Sequence, residues 1–119
     1  MSLETDDQIT PEYIAQEVAR AKPYHLVVLS RGPADRSDPD RLDAFQLKHL
    51  QHLFTLRRSG KLVLNGPSLA DSTLRGISIF AASSIEEVQA CVANDPMVMA
   101  GYLTAEIYPW LGLPGDRLP

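Results

Sequence analysis

Two ionisable residues stand where the chain can least easily leave them unpartnered. His49 lies in the run LDAFQLKHLQHLFTL, a helical repeat. At roughly 100° per residue, Leu42, Phe45, Leu53 and Leu56 share one side of that helix. His49 falls within about 40° of each, in the middle of the core-facing stripe. A buried imidazole needs a hydrogen-bonding partner, because burial alone penalises its charged form and leaves a polar group unpaired. Asp95 is the carboxylate in the most suggestive setting. It ends a second helical run and directly precedes Pro96, which disfavours helical backbone at Asp95 and projects its side chain sideways. A carboxylate beside an imidazole orients the ring, selects its tautomer and stabilises its charged form, which is the equipment of general acid–base catalysis.

Spacing alone does not force that pairing, and each residue has an ordinary structural reading. A single histidine on an apolar face is more often a satisfied core residue than a catalyst. Asp-Pro is a common helix start, with Asp as N-cap and Pro in the first turn. The two readings of Asp95 are compatible, since a capping carboxylate keeps a second oxygen free. Gly66–Pro67–Ser68 reads as a turn whose backbone N–H groups and Ser68 hydroxyl could face a small anionic ligand. His25 and His52 read as rim residues, Cys91 as packing, and Tyr102, Tyr108 and Trp110 as core or interface aromatics.

The elements that must position these residues can be read in order. Residues 1–10 read as a loose terminus. Thr10 and Pro11 open a short helix with a thin apolar stripe (Tyr13, Ile14, Val18, Ala21) that ends near Lys22–Pro23. Tyr24 to Arg31, rich in β-branched and apolar residues, reads as a central strand. A loop of Gly, Pro, Ser and Asp leads to Asp38–Pro39, the cap of the His49 helix, and Gly60 supplies its left-handed stop. Lys61–Asn65 reads as a strand broken by Gly66–Pro67, and LRGISIFAA as the next. Ser84 with Glu87 forms a capping box for a second helix with Ile85, Val88 and Val92 inward. Pro96 to Gly101 reads as one helical turn, and Leu103 to Tyr108 as a last strand ended by Pro109, before an irregular tail.

Strand, helix, strand, strand, helix, strand implies an α+β fold: a ferredoxin-like βαββαβ layer with a four-stranded antiparallel sheet and both helices on one face. Residues 1–22 form an N-terminal extension, 23–111 the domain and 112–119 the tail. Each strand carries apolar residues in both alternating sets, so the face away from the helices also needs a cover. A second copy packed sheet to sheet, as in a dimeric α/β barrel, is the economical one, and a homodimer is expected.

Composition narrows the function classes. At 119 residues with a net charge of −4, the chain holds one core. It has no basic run with interleaved aromatics, so nucleic acid is not an expected partner. No apolar run approaches the roughly 20 residues of a membrane span. The acidic, polar start lacks the make-up of a secretory leader. The lone Cys91 suits a reducing, cytoplasmic location. No Cys/His grouping has metal-ligand spacing, so neither a metal nor an organic cofactor is expected.

His49–Leu50, Gly60–Lys61–Leu62, Gly66–Pro67, Gly76, Ser84–Ile85–Glu86–Glu87, Asp95–Pro96 and Ala100–Gly101 occur in this order over residues 24–110. The set resembles the YCII-related family of small ferredoxin-like proteins with the dimeric α/β-barrel fold. The resemblance implies that His49 and Asp95 approach one another in a pocket as an active-site dyad. It also implies kinship with dehydrochlorinase-type enzymes of chlorinated-aromatic breakdown, and a fold shared with muconolactone isomerases. The N-terminal extension, the longer loop from Gly32 to Asp40 and the tail depart from the short family pattern and bear on the pocket entrance.

The expected activity is therefore proton-transfer chemistry of lyase or isomerase type on a small organic molecule, with His49 as acid or base and Asp95 orienting it. The competing expectation is a non-catalytic dimeric module for a small ligand or a protein partner, in which the same two residues form a structural pair.

Overall fold

A computed structural model of the chain describes residues 4–119. The expectation of a loose terminus over residues 1–10 lies, for residues 1–3, outside the described residues. The elements are α1 (Pro11–Ala19), β1 (Lys22–Arg31), α2 (Pro39–Arg58), β2 (Leu62–Pro67), β3 (Leu74–Phe80), α3 (Ile85–Ala93), α4 (Pro96–Met99) and β4 (Leu103–Gly112). The four strands form one sheet in the order β2-β3-β1-β4, with every neighbouring pair antiparallel. This is the ferredoxin-like α+β layer that the order of elements implies.

Local chemistry accounts for the helix ends. Asp38 caps α2 by accepting from the Arg41 N–H, and Gly60, at φ 83°, stops it; a glycine takes that left-handed turn at least cost. Ser84 caps α3 by accepting from the Glu87 N–H. The returning half of the capping box is displaced by one residue, because the Glu87 carboxylate accepts from the backbone N–H and hydroxyl of Ser83.

The core lies between the helices and one sheet face. Val27 and Leu29 of β1, Leu62, Phe80 and Leu103 meet Leu53 of α2, Val88 and Cys91 of α3, and Met97 of α4. On α2 only His49 and Leu53 are fully buried, with Leu42, Phe45 and Leu56 packed partly against the core, so the stripe is the expected one. Leu47, Leu50 and Phe54, on the helix's second apolar side, stay exposed.

The register sets Leu26 of β1 beside Ile79 and Tyr108, Val28 beside Ile77 and Glu106, and Tyr24 beside Trp110. These residues alternate with the core set and so line the opposite face. The tail reaches that face around Tyr24, Ile79 and Trp110, with Arg57 from the end of α2 at its border.

Three strands run further than expected. β1 starts at Lys22 and includes Pro23, which pairs with Leu111, and β4 continues through Pro109 to Gly112. Both prolines fit because each has a side without a partner: β4 is the sheet edge, and β3 pairs with β1 only from His25 onward. A missing N–H is tolerated there. β2 likewise carries on through Gly66 and Pro67, which pair with Ile77 and Gly76. α1 buries no residue, as its thin stripe implies, and Arg20 just beyond it donates to the Pro114 carbonyl of the tail.

Candidate active site

The Asp95–Pro96 step ends α3 and starts α4. Asp95 caps the new helix, its Oδ1 accepting from the Met97 N–H at 2.9 Å. α4 packs against α2, and this brings Asp95 to His49 across 46 residues of chain, with His49 Nδ1 2.9 Å from Oδ1 and 2.7 Å from Oδ2. Both residues are buried, at 8% and 3% exposure. An ionised carboxylate can only accept, and against it Nδ1 carries the proton and donates it to Asp95. The other ring nitrogen, Nε2, bonds to no protein group among the described residues and is not sealed in the interior.

His49 forms part of the wall of a cavity of about 160 Å³. The wall also includes Leu29, Leu53 and Met97 from the core, and Asn65, Gly66 and Pro67 from β2. Gly76 opens the β2–β3 side: a Cβ there would stand 2.7 Å from the Gly66 carbonyl oxygen, so glycine is what lets the two strands close behind the cavity. Asn65 accepts the hydroxyl proton of buried Ser78 at 2.9 Å, which leaves its amide N–H groups available. Gln46, Arg36 and Arg75 complete the polar part of the wall.

Of the residues singled out in the sequence, His49, Asp95, Gly66 and Pro67 come together. Ser68 does not line the cavity; its N–H donates to the Arg75 carbonyl and its hydroxyl accepts from Ala70. His52, half-buried at the rim of the stripe, bonds through Nε2 to the Cys91 carbonyl at 2.8 Å and ties α2 to α3. His25 Nδ1 is buried without a partner among the described residues.

Arg36 and Arg75 carry no signal in the sequence. The loop holding Arg36 is pinned by bonds from Gly32 N–H to the Tyr102 carbonyl and from Ala34 N–H to the Gly101 carbonyl. Arg36 itself donates to the Tyr102 carbonyl. Arg75 sits in a bulge: Leu29 pairs with Gly76 and Ser30 with Leu74, leaving Arg75 unopposed on β1. Such a bulge re-aims a side chain. Burial, then the neighbouring Arg31 and Arg75 guanidiniums, push Arg36 below the usual guanidinium pKa, against a smaller opposite effect of Tyr102.

A larger hollow of about 650 Å³ lies on the other side of the sheet, between its open face and the tail. The His49–Asp95 pair takes no part in it. Among the described residues no group of His, Cys, Asp and Glu is arranged to hold a metal ion, and no helix is long and apolar enough to cross a membrane.

A ferredoxin-like layer with a buried His–Asp pair at the edge of a small cavity defines a class, and comparison with known proteins gives the family. The YCII-related domain model matches residues 17–111, and the chain belongs to that family. Among solved structures, it is similar to the 5-chloro-2-hydroxyhydroquinone dehydrochlorinase TftG of Burkholderia phenoliruptrix AC1100, in complex with 2,5-dihydroxybenzoquinone. The identity is 27% and the TM-score 0.52, over 71% of this chain and 92% of that one. It is also similar to muconolactone isomerase, with 16% identity and a TM-score of 0.62 over 82% of this chain and 97% of the other; that likeness is one of fold. No curated protein matches the chain.

Proposed function

We propose that the protein is a small-molecule enzyme of lyase or isomerase type in which His49 Nε2 exchanges a proton with a compound held in the adjacent cavity. The observation that carries this reading is the asymmetry of the ring. Nδ1 is fixed on Asp95 at 2.7–2.9 Å, while the unpaired Nε2 belongs to a residue of the cavity wall. That is the arrangement of an oriented general base, with Asp95 stabilising the imidazolium once it forms. Asp95 touches no substrate in this reading and acts as the positioning residue.

The cavity is close in size to one that admits a benzene ring, about 150 Å³, which suits a single-ring compound. Elimination or isomerisation on such a ring needs a proton moved and no group transferred to the protein. Kinship with a dehydrochlorinase supports this reaction class without fixing the substrate. The same reading includes a homodimer that covers the open sheet face and a cytoplasmic location, the latter supported by the single unpaired cysteine.

The structural alternative, a ligand-binding module with a passive His–Asp pair, draws on the cap that Asp95 gives to α4. Proton exchange separates the two. Single-ring hydroxyquinols and lactones, with and without a ring chlorine, are incubated with the protein in D2O; loss of ring C–H signals is followed by NMR, and chloride release from the chlorinated compounds by a chloride electrode. Turnover by the wild type that His49→Ala abolishes is expected. Turnover that survives His49→Ala in a folded variant would overturn the catalytic reading.

A further inference from the structure

The charged groups in the cavity wall beside His49 are of one sign. Arg36 and Arg75 contribute to it and no Asp or Glu does. Among the described residues neither arginine, nor Arg31 nearby, forms an ion pair with a carboxylate, although the chain holds 15 acidic residues against 11 basic ones. Arg36 is held in place from one side only. One guanidinium N–H serves the Tyr102 carbonyl, the guanidinium lies 5.6 Å from the centre of the Tyr102 ring, and Nε is buried with no hydrogen-bond partner among the described residues. Gathering guanidiniums without a counter-charge is unfavourable, even with Arg31 and Arg75 exposed and Arg36 half-buried. The fold nevertheless builds this arrangement with two separate devices, the pinned loop that carries Arg36 and the bulge that carries Arg75. Asn65 adds amide donors to the same wall, its oxygen being taken by Ser78.

We propose that the cavity is selective for anions: it takes a small single-ring compound bearing an oxyanion, a carboxylate or an ionised ring hydroxyl, held by Arg36 and Arg75. The proposal rests on His49 as the proton-exchanging group and adds the substrate class. A planar oxyanion is the shape a guanidinium fork matches with paired N–H···O bonds. When Nε2 takes a proton from an sp3 ring carbon next to a ring carbonyl, the electron pair of the broken C–H bond delocalises onto the carbonyl oxygen as an enolate, and the same guanidiniums stabilise that added charge.

The test uses four probes on the whole protein: benzoate and 4-nitrophenolate, with benzamide and 4-nitroanisole as neutral counterparts. Binding is followed by the backbone amide signals of Gly66 and Gly76. At least one anion is expected to shift these signals and to bind about tenfold or more tightly than its neutral counterpart. Arg75→Gln, which breaks no hydrogen bond of that side chain within the protein, should weaken the anion about tenfold and leave the neutral probe unchanged. Arg36→Gln should do the same, and Arg57→Gln, outside the cavity wall, should change nothing. Equal binding of anion and neutral probe overturns the proposal. So does indifference to Arg75→Gln, or the absence of any shift at about 10 mM anion. A carboxylate-only or hydroxyl-only response identifies which oxyanion is taken. Because the titration reads binding alone, it can fail while His49 remains a base, and it can succeed where His49 proves inert.

Discussion

Replacing Asp95 separates the two things its carboxylate does. In Asp95→Ala the Met97 N–H loses its capping acceptor, which costs about 1 kcal/mol. His49 Nδ1 also loses its partner in a buried position, which costs about 1–3 kcal/mol. The total is about 2–4 kcal/mol. At about 2.1 cal/mol/K per residue, a chain of 119 residues loses about 4 °C of Tm for each kcal/mol, so a fall of about 8–16 °C is expected. Asp95→Asn behaves differently. Asparagine caps a helix as well as aspartate does, so its oxygen keeps the Met97 N–H. Its amide nitrogen then occupies the Oδ2 position, 2.7 Å from Nδ1. The loss there is the difference between a charge-assisted and a neutral bond, about 1 kcal/mol or about 4 °C. Thermal unfolding of the two variants by circular dichroism at neutral pH provides the comparison. Equal melting temperatures for Ala and Asn would refute the capping argument, and a fall below about 4 °C in Asp95→Ala would refute both contributions.

Other outcomes follow from the same structure. Ile77→Glu and Tyr108→Glu put charges on the open sheet face, and each should shift the proposed homodimer to monomer in sedimentation velocity; a dimer that withstands both changes does not use that face. The bonds from Ser83, then the Lys61 contact, hold the Glu87 carboxyl below its ordinary pKa of 4.5. Its contribution to stability is thus complete above about 4.5 and is lost as pH falls through the lower folded value. Glu87→Gln should flatten the dependence of Tm on pH in that acid range only, and an unchanged acid limb would show that the bonds from Ser83 do not form in solution.

Much of the fold was legible because its signals are local. Asp38, Gly60, Ser84 and Gly101 act within a few residues of themselves, and the two alternating sets in each strand already implied a sheet with apolar residues on both faces. His49 stood out because 3.6-residue periodicity places it among leucines. The Asp95 cap followed from its proline. Their meeting was different in kind: it depends on α4 docking against α2, which no local pattern encodes, and the family resemblance supplied it. What stayed hidden was set by tertiary position. Pro109 reads as a strand end unless β4 is known to be the sheet edge. Arg75 reads as one more strand residue unless the bulge opposite Leu29 and Ser30 is known. Arg36 sits in a loop of undistinguished composition, and only its ties to the Gly101–Tyr102 backbone bring it to the cavity. Absence of a basic run in the sequence was accurate and still concealed a cluster of guanidiniums, because folding collected it from separate elements.

The central claim is that Asp95 holds His49 with its proton on Nδ1 and leaves Nε2 as the base. Long-range ¹H–¹⁵N NMR of the histidine rings measures this directly, above the pH at which the ring titrates, in the wild type and in Asp95→Asn. The expected result is a protonated Nδ1 and a bare Nε2 for His49 in the wild type, reversed in Asp95→Asn, where the amide donates to Nδ1. A His49 ring with its proton on Nε2 in the wild type, or one indifferent to Asp95→Asn, would contradict the claim.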